Sequence, residues 1–341
     1  MRNFKLALRS GLLFLMLVTV LSAVIIYPYT HTESYHYQDG WVRDSLAGSL
    51  DTIICGASQA QRGIAPVVLD YNLGSNSYNI SSPLMTMQGR YTLLKKELDR
   101  NPVDTVILEL CYDTMGRDRD LVGPEGDFYL LGRFTTFAER ARYFFTCARP
   151  HEYGEFYSDV LSRGLFSWRR WGENAIGSSP HYEEKGFTPL ETNPIELPPP
   201  EQYNREPIVT EIVEENKVYL EKILALCKER KVQVMMVCTP LADGAILSYD
   251  QLDTIHRFYT DISQKWGCPY YNFSLYKGKS TLFSDGDSYF DRNHLSLPAA
   301  VNFTRLLATT VADTKAGLDL SDRFYPDFKT AQEQEILPLY S

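Results

Sequence analysis

The sequence predicts an α/β fold: a three-layer arrangement with helices on both faces of a parallel sheet, preceded by an N-terminal transmembrane helix. Three observations carry this. Short, wholly apolar runs of strand length alternate with segments of helical spacing. These runs lack an in/out alternation, the pattern of strands buried on both faces. Residues 10–28 form an uncharged apolar stretch behind a basic N-terminus.

The elements follow in order. Residues 1–9 carry Arg2, Lys5 and Arg9 and no acid. About 20 apolar residues cross a bilayer as a helix, and a basic flank stays in the cytoplasm, which places the remaining chain outside. The other reading is a cleaved signal peptide with its site at Leu21–Ala23. The apolar run continues past that point, as an uncleaved anchor requires. Residues 29–50 are a polar, aromatic lead-in. Strands are expected at Asp51–Cys55, Ser77–Ile80, Asp104–Cys111, Val232–Cys238 and Pro269–Phe273. Helices are expected at Leu84–Arg100, stopped by Asn101–Pro102, and at Ile208–Lys231, with acids early and Lys/Arg in the last turn. Two more are expected at Gln251–Gly267 and at Ser296–Thr314, where Ser296 is the N-cap and Pro298 sits in the first turn. The α/β domain is thus expected over 51–114 and 208–315, with a tail over 316–341.

Residues 115–207 break the rhythm. RARYFF and FSWRRWG are rich in aromatics and arginine, and IELPPPEQY follows. This insertion reads as a lid, as a surface meeting a membrane or partner, or as a subdomain packing its own aromatics. The net charge of −9 argues against a nucleic-acid partner, which calls for a basic face. Of six cysteines, Cys55, Cys111 and Cys238 end apolar strands and Cys227 lies on a helix stripe. Only Cys147 and Cys268 look free to pair, and no spacing suggests zinc.

The stretch IICGASQAQRG places Ser58 just past the first strand, after Gly56 and Ala57. Ligands of open parallel sheets bind at the carboxyl ends of strands. A serine hydroxyl needs a base to act as a nucleophile. Of six histidines, His294 is singled out by YFDRNHLS, the loop before the last helix. Asp291, three residues earlier, can orient one ring nitrogen and leave the other for a serine. Each feature alone has a plain reading, as a turn serine and a loop cap; their shared sheet edge favours chemistry. Arg62 could meet an anionic substrate or pair with a neighbouring acid.

GAS at Ser58 and DRNH at His294 resemble the first and last sequence blocks of the SGNH/GDSL hydrolase superfamily. With the N-terminal anchor, GASQAQRGIAP, SYNISSP, VILELCYD and YNFS, the chain looks similar to membrane-anchored envelope members, such as DltD proteins of teichoic acid D-alanylation and alginate O-acetylation proteins. The resemblance spans roughly residues 50–115 and 208–312. It implies Ser58 as nucleophile, His294 as base and Asp291 as its orienter. It further implies an oxyanion hole from the backbone N–H groups of Ser58 and of Ser81 or Ser82. The chain departs from the pattern in three places: Ala57 replaces an aspartate, Ser81, Ser82 and Pro83 stand where a glycine is usual, and Tyr112 and Asp113 stand where an asparagine is usual. The implied activity is serine acyl transfer or ester hydrolysis outside the cytoplasm. The acceptor would be an envelope glycan or teichoic acid, the partner a multi-spanning membrane O-acyltransferase, with no metal or organic cofactor. The degenerate second and third blocks leave a second reading, a membrane-tethered scaffold or glycan-binding protein without catalysis.

Overall fold

The computed structural model describes residues 2–28, 35–117, 125–169, 185–193, 195–204 and 211–340. They fall into two compact units: one within Met1–Val42 and Phe128–Tyr182, the other within Arg43–Asp127 and Glu183–Ser341.

The second unit is built on five parallel strands: β1 (Thr52–Cys55), β2 (Ser77–Asn79), β3 (Thr105–Glu109), β4 (Gln233–Cys238) and β5 (Tyr270–Asn272). Their order is β2-β1-β3-β4-β5, with Ile54 level with Asn79 and Ile107. All five expected strands are present, each trimmed by one to three residues. β1, β2 and β3 are buried along their whole length, as expected of strands covered on two faces. The order reverses at β1, so β1 and β3 flank a topological switch point, the place in such sheets where ligands bind at the carboxyl ends.

Helices cover the sheet from both sides. On one face lie α3 (Ser58–Gly63), α4 (Pro66–Leu73) and α13 (Leu297–Lys315), where Phe303, Leu307 and Val311 pack in one core with Ile54, Ile107 and Val237. On the other, α5 (Met87–Arg100) packs against α9 (Glu214–Glu229). The helix expected from Leu84 begins at Met87, because the Thr86 hydroxyl accepts the Gly89 N–H at 3.0 Å and fixes the N-terminus there. The one expected from Ile208 begins at Glu214 after an extended Val213; residues 208–210 lie outside the described residues. Ser296 is the N-cap of α13 but its hydroxyl makes no capping bond.

Two expected boundaries differ. Residues 185–193 and 195–204 fall within the insertion expected over 115–207, yet belong to the second unit. The Asn79 N–H donates to the Lys185 carbonyl, Thr188 donates to Gln61, and Phe187 is in the core. The tail is likewise part of the fold: Phe328, Ala331 and Ile336 are core residues, and Glu335 accepts the N–H groups of Gly278 and Ser280.

Between β4 and α13 lie α10 (Asp243–Ser248), α11 (Leu252–Trp266) and α12 (Lys279–Leu282). A buried ion cluster ties α10 to α12. Lys279 pairs with Asp243 at 2% and 0% side-chain exposure, and donates to the Leu241 carbonyl at 3.0 Å. Asp285 accepts the N–H groups of Asp243 and Gly244 at 2.6 and 2.8 Å.

The first unit holds α1 (Arg2–Pro28), which includes one apolar stretch, Phe4–Tyr27, long enough to cross a membrane. It also contains α7 (Phe137–Cys147) and α8 (Tyr153–Arg169); α2 (Tyr35–Ser45) and α6 (Glu125–Leu131) cross the unit boundaries. Thr136 and Glu139 form a capping box on α7. Cys147, expected to be free to pair, is buried at the end of α7.

Removing one partner of a fully buried ion pair leaves an uncompensated charge, at about 3–5 kcal/mol. Lys279→Ala is therefore expected to lower unfolding free energy by roughly that amount in denaturant titration. The double variant Lys279→Met with Asp243→Leu is expected to lose less.

Candidate active site

Ser58 is the first residue of α3. The chain leaves β1 at Cys55 and turns through Gly56 and Ala57. Glycine is required at 56: an added Cβ would lie 2.5 Å from Glu109 Oε2 and 2.6 Å from the Ala60 Cβ. Glu109, the last residue of β3, is fully buried, and its Oε2 accepts the Ala57 N–H at 3.0 Å. Burial pushes its pKa up, opposed by the charge of nearby Arg90 and the Ala57 hydrogen bond. Arg90, also fully buried, donates to the Glu109 carbonyl at 2.5 Å. Burial likewise raises the Cys55 thiol to about 12, so it stays protonated as a packing residue.

His294 reaches Ser58 from the far end of the sequence. Its Nε2 lies 2.8 Å from Ser58 Oγ, across 236 positions. Its Nδ1 lies 2.9 and 2.8 Å from the two oxygens of Asp291. Asp291 Oδ1 also accepts the N–H groups of Asn293 and His294, at 2.8 and 2.9 Å. Burial alone would raise the Asp291 pKa; the His294 ring and the two N–H donors outweigh it and hold it below 3.8. With an ionised Asp291 on Nδ1, the hydrogen there is the donor and Nε2 is left as acceptor for the Ser58 hydroxyl.

The His294 loop is clamped on itself and on the sheet. Tyr289 and Leu295 form an antiparallel bridge, and the Phe290 N–H donates to the His294 carbonyl at 2.9 Å. Ala242, next to the ion cluster, donates to the Arg292 carbonyl at 3.2 Å, and the Tyr289 hydroxyl donates to the Leu241 carbonyl at 2.8 Å. The Tyr249 hydroxyl donates to Asn293 at 3.1 Å, and its ring packs on Tyr112 at 5.1 Å.

Ser81 and Ser82 are fully buried just past β2, on the same sheet edge as Ser58. The Ser81 N–H donates to the Asn79 side chain at 3.1 Å, which occupies the donor expected of it. The Ser82 hydroxyl is buried with no hydrogen-bond partner among the described residues. No hydrogen bond links either serine to Ser58 among those residues. Asp113 accepts from Arg117 and from the Cys111 thiol, and Tyr112 is held against Tyr249, so the third block presents no amide donor. Arg62 donates to the Thr188 carbonyl at 3.1 Å.

The sequence reading did not single out Glu109 or Asn79. Asn79 donates to the carbonyls of Ala60 and Ile64 at 2.8 and 2.9 Å, bracing α3 against β2. Glu109 had a signal, a carboxyl side chain in the apolar run VILELC; Asn79, in the strand Ser-Tyr-Asn, had none. Of the other histidines, His256 lies against Tyr270 at 5.6 Å, and burial lowers its pKa. A cleft of about 420 Å³ opens at Thr105, Gln233 and Pro269, the amino ends of β3 to β5, opposite Ser58.

No family model matches the chain, and no curated protein matches it. Among solved structures, it is similar to that of a "putative acylhydrolase" from Bacteroides fragilis. The TM-score is 0.39 at 9% sequence identity, over 80% of this chain and 93% of that one. A likeness of this size assigns no activity.

Two outcomes follow from the geometry. Gly56→Ala is expected to cost about 1–3 kcal/mol through overpacking, seen as a lower denaturation midpoint. Asp291 is depressed in the fold, so its stabilisation is full above the unfolded value and lost as pH falls through the folded one. The stability gap between wild type and Asp291→Asn is expected to close as pH falls through the depressed carboxyl value of the folded state, measured by denaturation at stepped pH.

Proposed function

We propose that the chain is an SGNH-like serine acyltransferase or esterase. Its N-terminal helix would anchor it in a membrane, with its basic end in the cytoplasm and the second unit outside. The observation that carries the reading is the continuous hydrogen-bonded line from Ser58 Oγ through His294 to Asp291. It contains a nucleophile, a base and an orienter in working geometry.

In this mechanism the Ser58 oxygen attacks an ester or thioester carbonyl while its proton passes to His294 Nε2. The tetrahedral oxyanion collapses, and the leaving alkoxide or thiolate departs with that proton. The Ser58 acyl-enzyme remains. A hydroxyl of an envelope polysaccharide or teichoic acid then gives its proton to Nε2 and attacks the acyl carbonyl; the bond to Ser58 Oγ breaks and Oγ takes the proton back from Nε2, which completes O-acylation, and water in that place gives deacylation. Asp291 stabilises the imidazolium in both halves. The Ser58 N–H and a donor near Ser82 would receive the oxyanion. A multi-spanning membrane O-acyltransferase would supply the acyl group.

A second reading, a non-catalytic scaffold or glycan-binding protein, is favoured by one observation: the Ser81 N–H and Asp113 are already committed elsewhere. Turnover of an activated acetyl ester by the full chain in detergent separates the two. The enzyme reading expects turnover that vanishes in Ser58→Ala and His294→Ala and falls about 10³–10⁴-fold in Asp291→Asn. Turnover equal in all four proteins, or none in a folded chain, contradicts it. Transfer to purified teichoic acid or glycan, against release to water, then distinguishes transferase from esterase.

A further inference from the structure

We propose that the hairpin of α7 and α8 is a second membrane contact, its aromatic tip inserted just beneath the outer headgroups, at the edge of the hydrocarbon core. This rests on the reading of α1 as a bilayer span. The first unit has an unusual composition. Over residues 128–169 there are twelve aromatic side chains in 42 residues, and six arginines against four acids in a chain of net charge −9. Aromatic rings and arginine together mark the water–lipid boundary.

Packing within the unit sets the height of the hairpin. The Ser22 hydroxyl of α1 hydrogen-bonds the Tyr157 hydroxyl of α8 at 2.7 Å. Three residues further along α1, the Ile25 carbonyl lies so close to Gly164 that a Cβ there would sit 2.4 Å from its oxygen. Small residues permit such backbone approach between membrane helices. The apolar stretch Phe4–Tyr27 has 24 residues, about 36 Å of helix at 1.5 Å per residue. A hydrocarbon core is about 30 Å. Ser22 and Ile25 therefore lie at the edge of the core, at the end remote from the basic residues.

Direction follows from the same two contacts. Going from Tyr157 to Gly164 climbs α1 towards its carboxyl end, away from the bilayer centre. Going back from Tyr157 to Tyr153 descends by one turn. At that lower end the α7–α8 turn gathers Phe144, Phe145, Tyr153 and Phe156, with Phe144 5.1 Å from Tyr153 and 5.2 Å from Phe156. Phe145 is 68% exposed, Tyr157 48% and Tyr153 37%. Arg142 and His151 are exposed beside them, with Glu155 the exposed acid. The exposed Phe145, Tyr153 and Tyr157, at the depth fixed by α1, fit the boundary between lipid tails and headgroups.

The test uses the full chain in vesicles of phosphatidylethanolamine and phosphatidylglycerol. A nitroxide is placed at Phe145→Cys, at Leu15→Cys within the span, and at Tyr71→Cys, which replaces an 89% exposed side chain of the second unit. The native thiols are buried or half-buried, and the unsubstituted chain gives their background. Collision with oxygen against a water-soluble nickel chelate reads depth. The proposal expects oxygen to dominate at 15 and 145, and nickel at 71. Nickel access at 145 equal to that at 71, with 15 in lipid, overturns the second contact and leaves the anchor standing. Nickel access at 15 overturns the anchor and the proposal together. Gly164→Leu, which cannot sit against Ile25, is expected to lower the oxygen-to-nickel ratio at 145 several-fold without change at 15. An unchanged ratio overturns the claim that α1 sets the depth of the tip.

Discussion

A carboxyl group inside the sheet is the constraint on which the candidate site depends. Glu109 is fully buried at the end of β3, and it holds the N–H of Ala57, the residue that delivers Ser58 to the sheet edge. The Glu109 Oε2 is satisfied by this contact, while Oε1 is buried with no hydrogen-bond partner among the described residues, so the Ala57 N–H is the bond that holds the carboxyl in place. Glu109 is also why residue 56 has no side chain: the space a Cβ would need is filled by Glu109 and Ala60. The Ser58 turn is thus set by the neighbouring strand, not by its own six-residue helix.

The other half of the site has a separate support. The 288–296 loop is held by its own antiparallel bridge, by Ala242 and by Tyr289, and behind these stands the buried cluster of Asp243, Lys279 and Asp285. Two loops 236 positions apart arrive within 2.8 Å because each is braced on the sheet before they meet. The strand order supplies the place: β1 sits at the switch point, where neighbouring chain segments diverge.

Much of this was legible in the sequence. Strands buried on both faces must be apolar throughout, so DTIIC, DTVILELC and VQVMMVC announced themselves. A serine after the first strand and DxxH before the last helix lie on one edge of such a sheet, so Ser58, Asp291 and His294 could be paired without coordinates. Other parts left no periodic trace. Residues 185–190 join the core through backbone hydrogen bonds, a single buried ring at Phe187 and a left-handed Gly186 pressed on the Asn79 carbonyl, none of which makes a periodic pattern. The last 25 residues pack in helices of three to five residues, too short for a pattern. The start of α5 was set by one cap, Thr86, hidden inside a longer apolar spacing. The fate of the Ser81 N–H depended on Asn79, two residues away, turning its side chain back.

The central claim is that Ser58 is an activated nucleophile, and its most direct test is covalent. The folded full chain would be treated with a fluorophosphonate and the modified peptide located by mass spectrometry. The account predicts one adduct, on Ser58, formed by wild type and lost in His294→Ala. No adduct in a folded protein, or an adduct on Ser58 that forms as fast without His294, would contradict it.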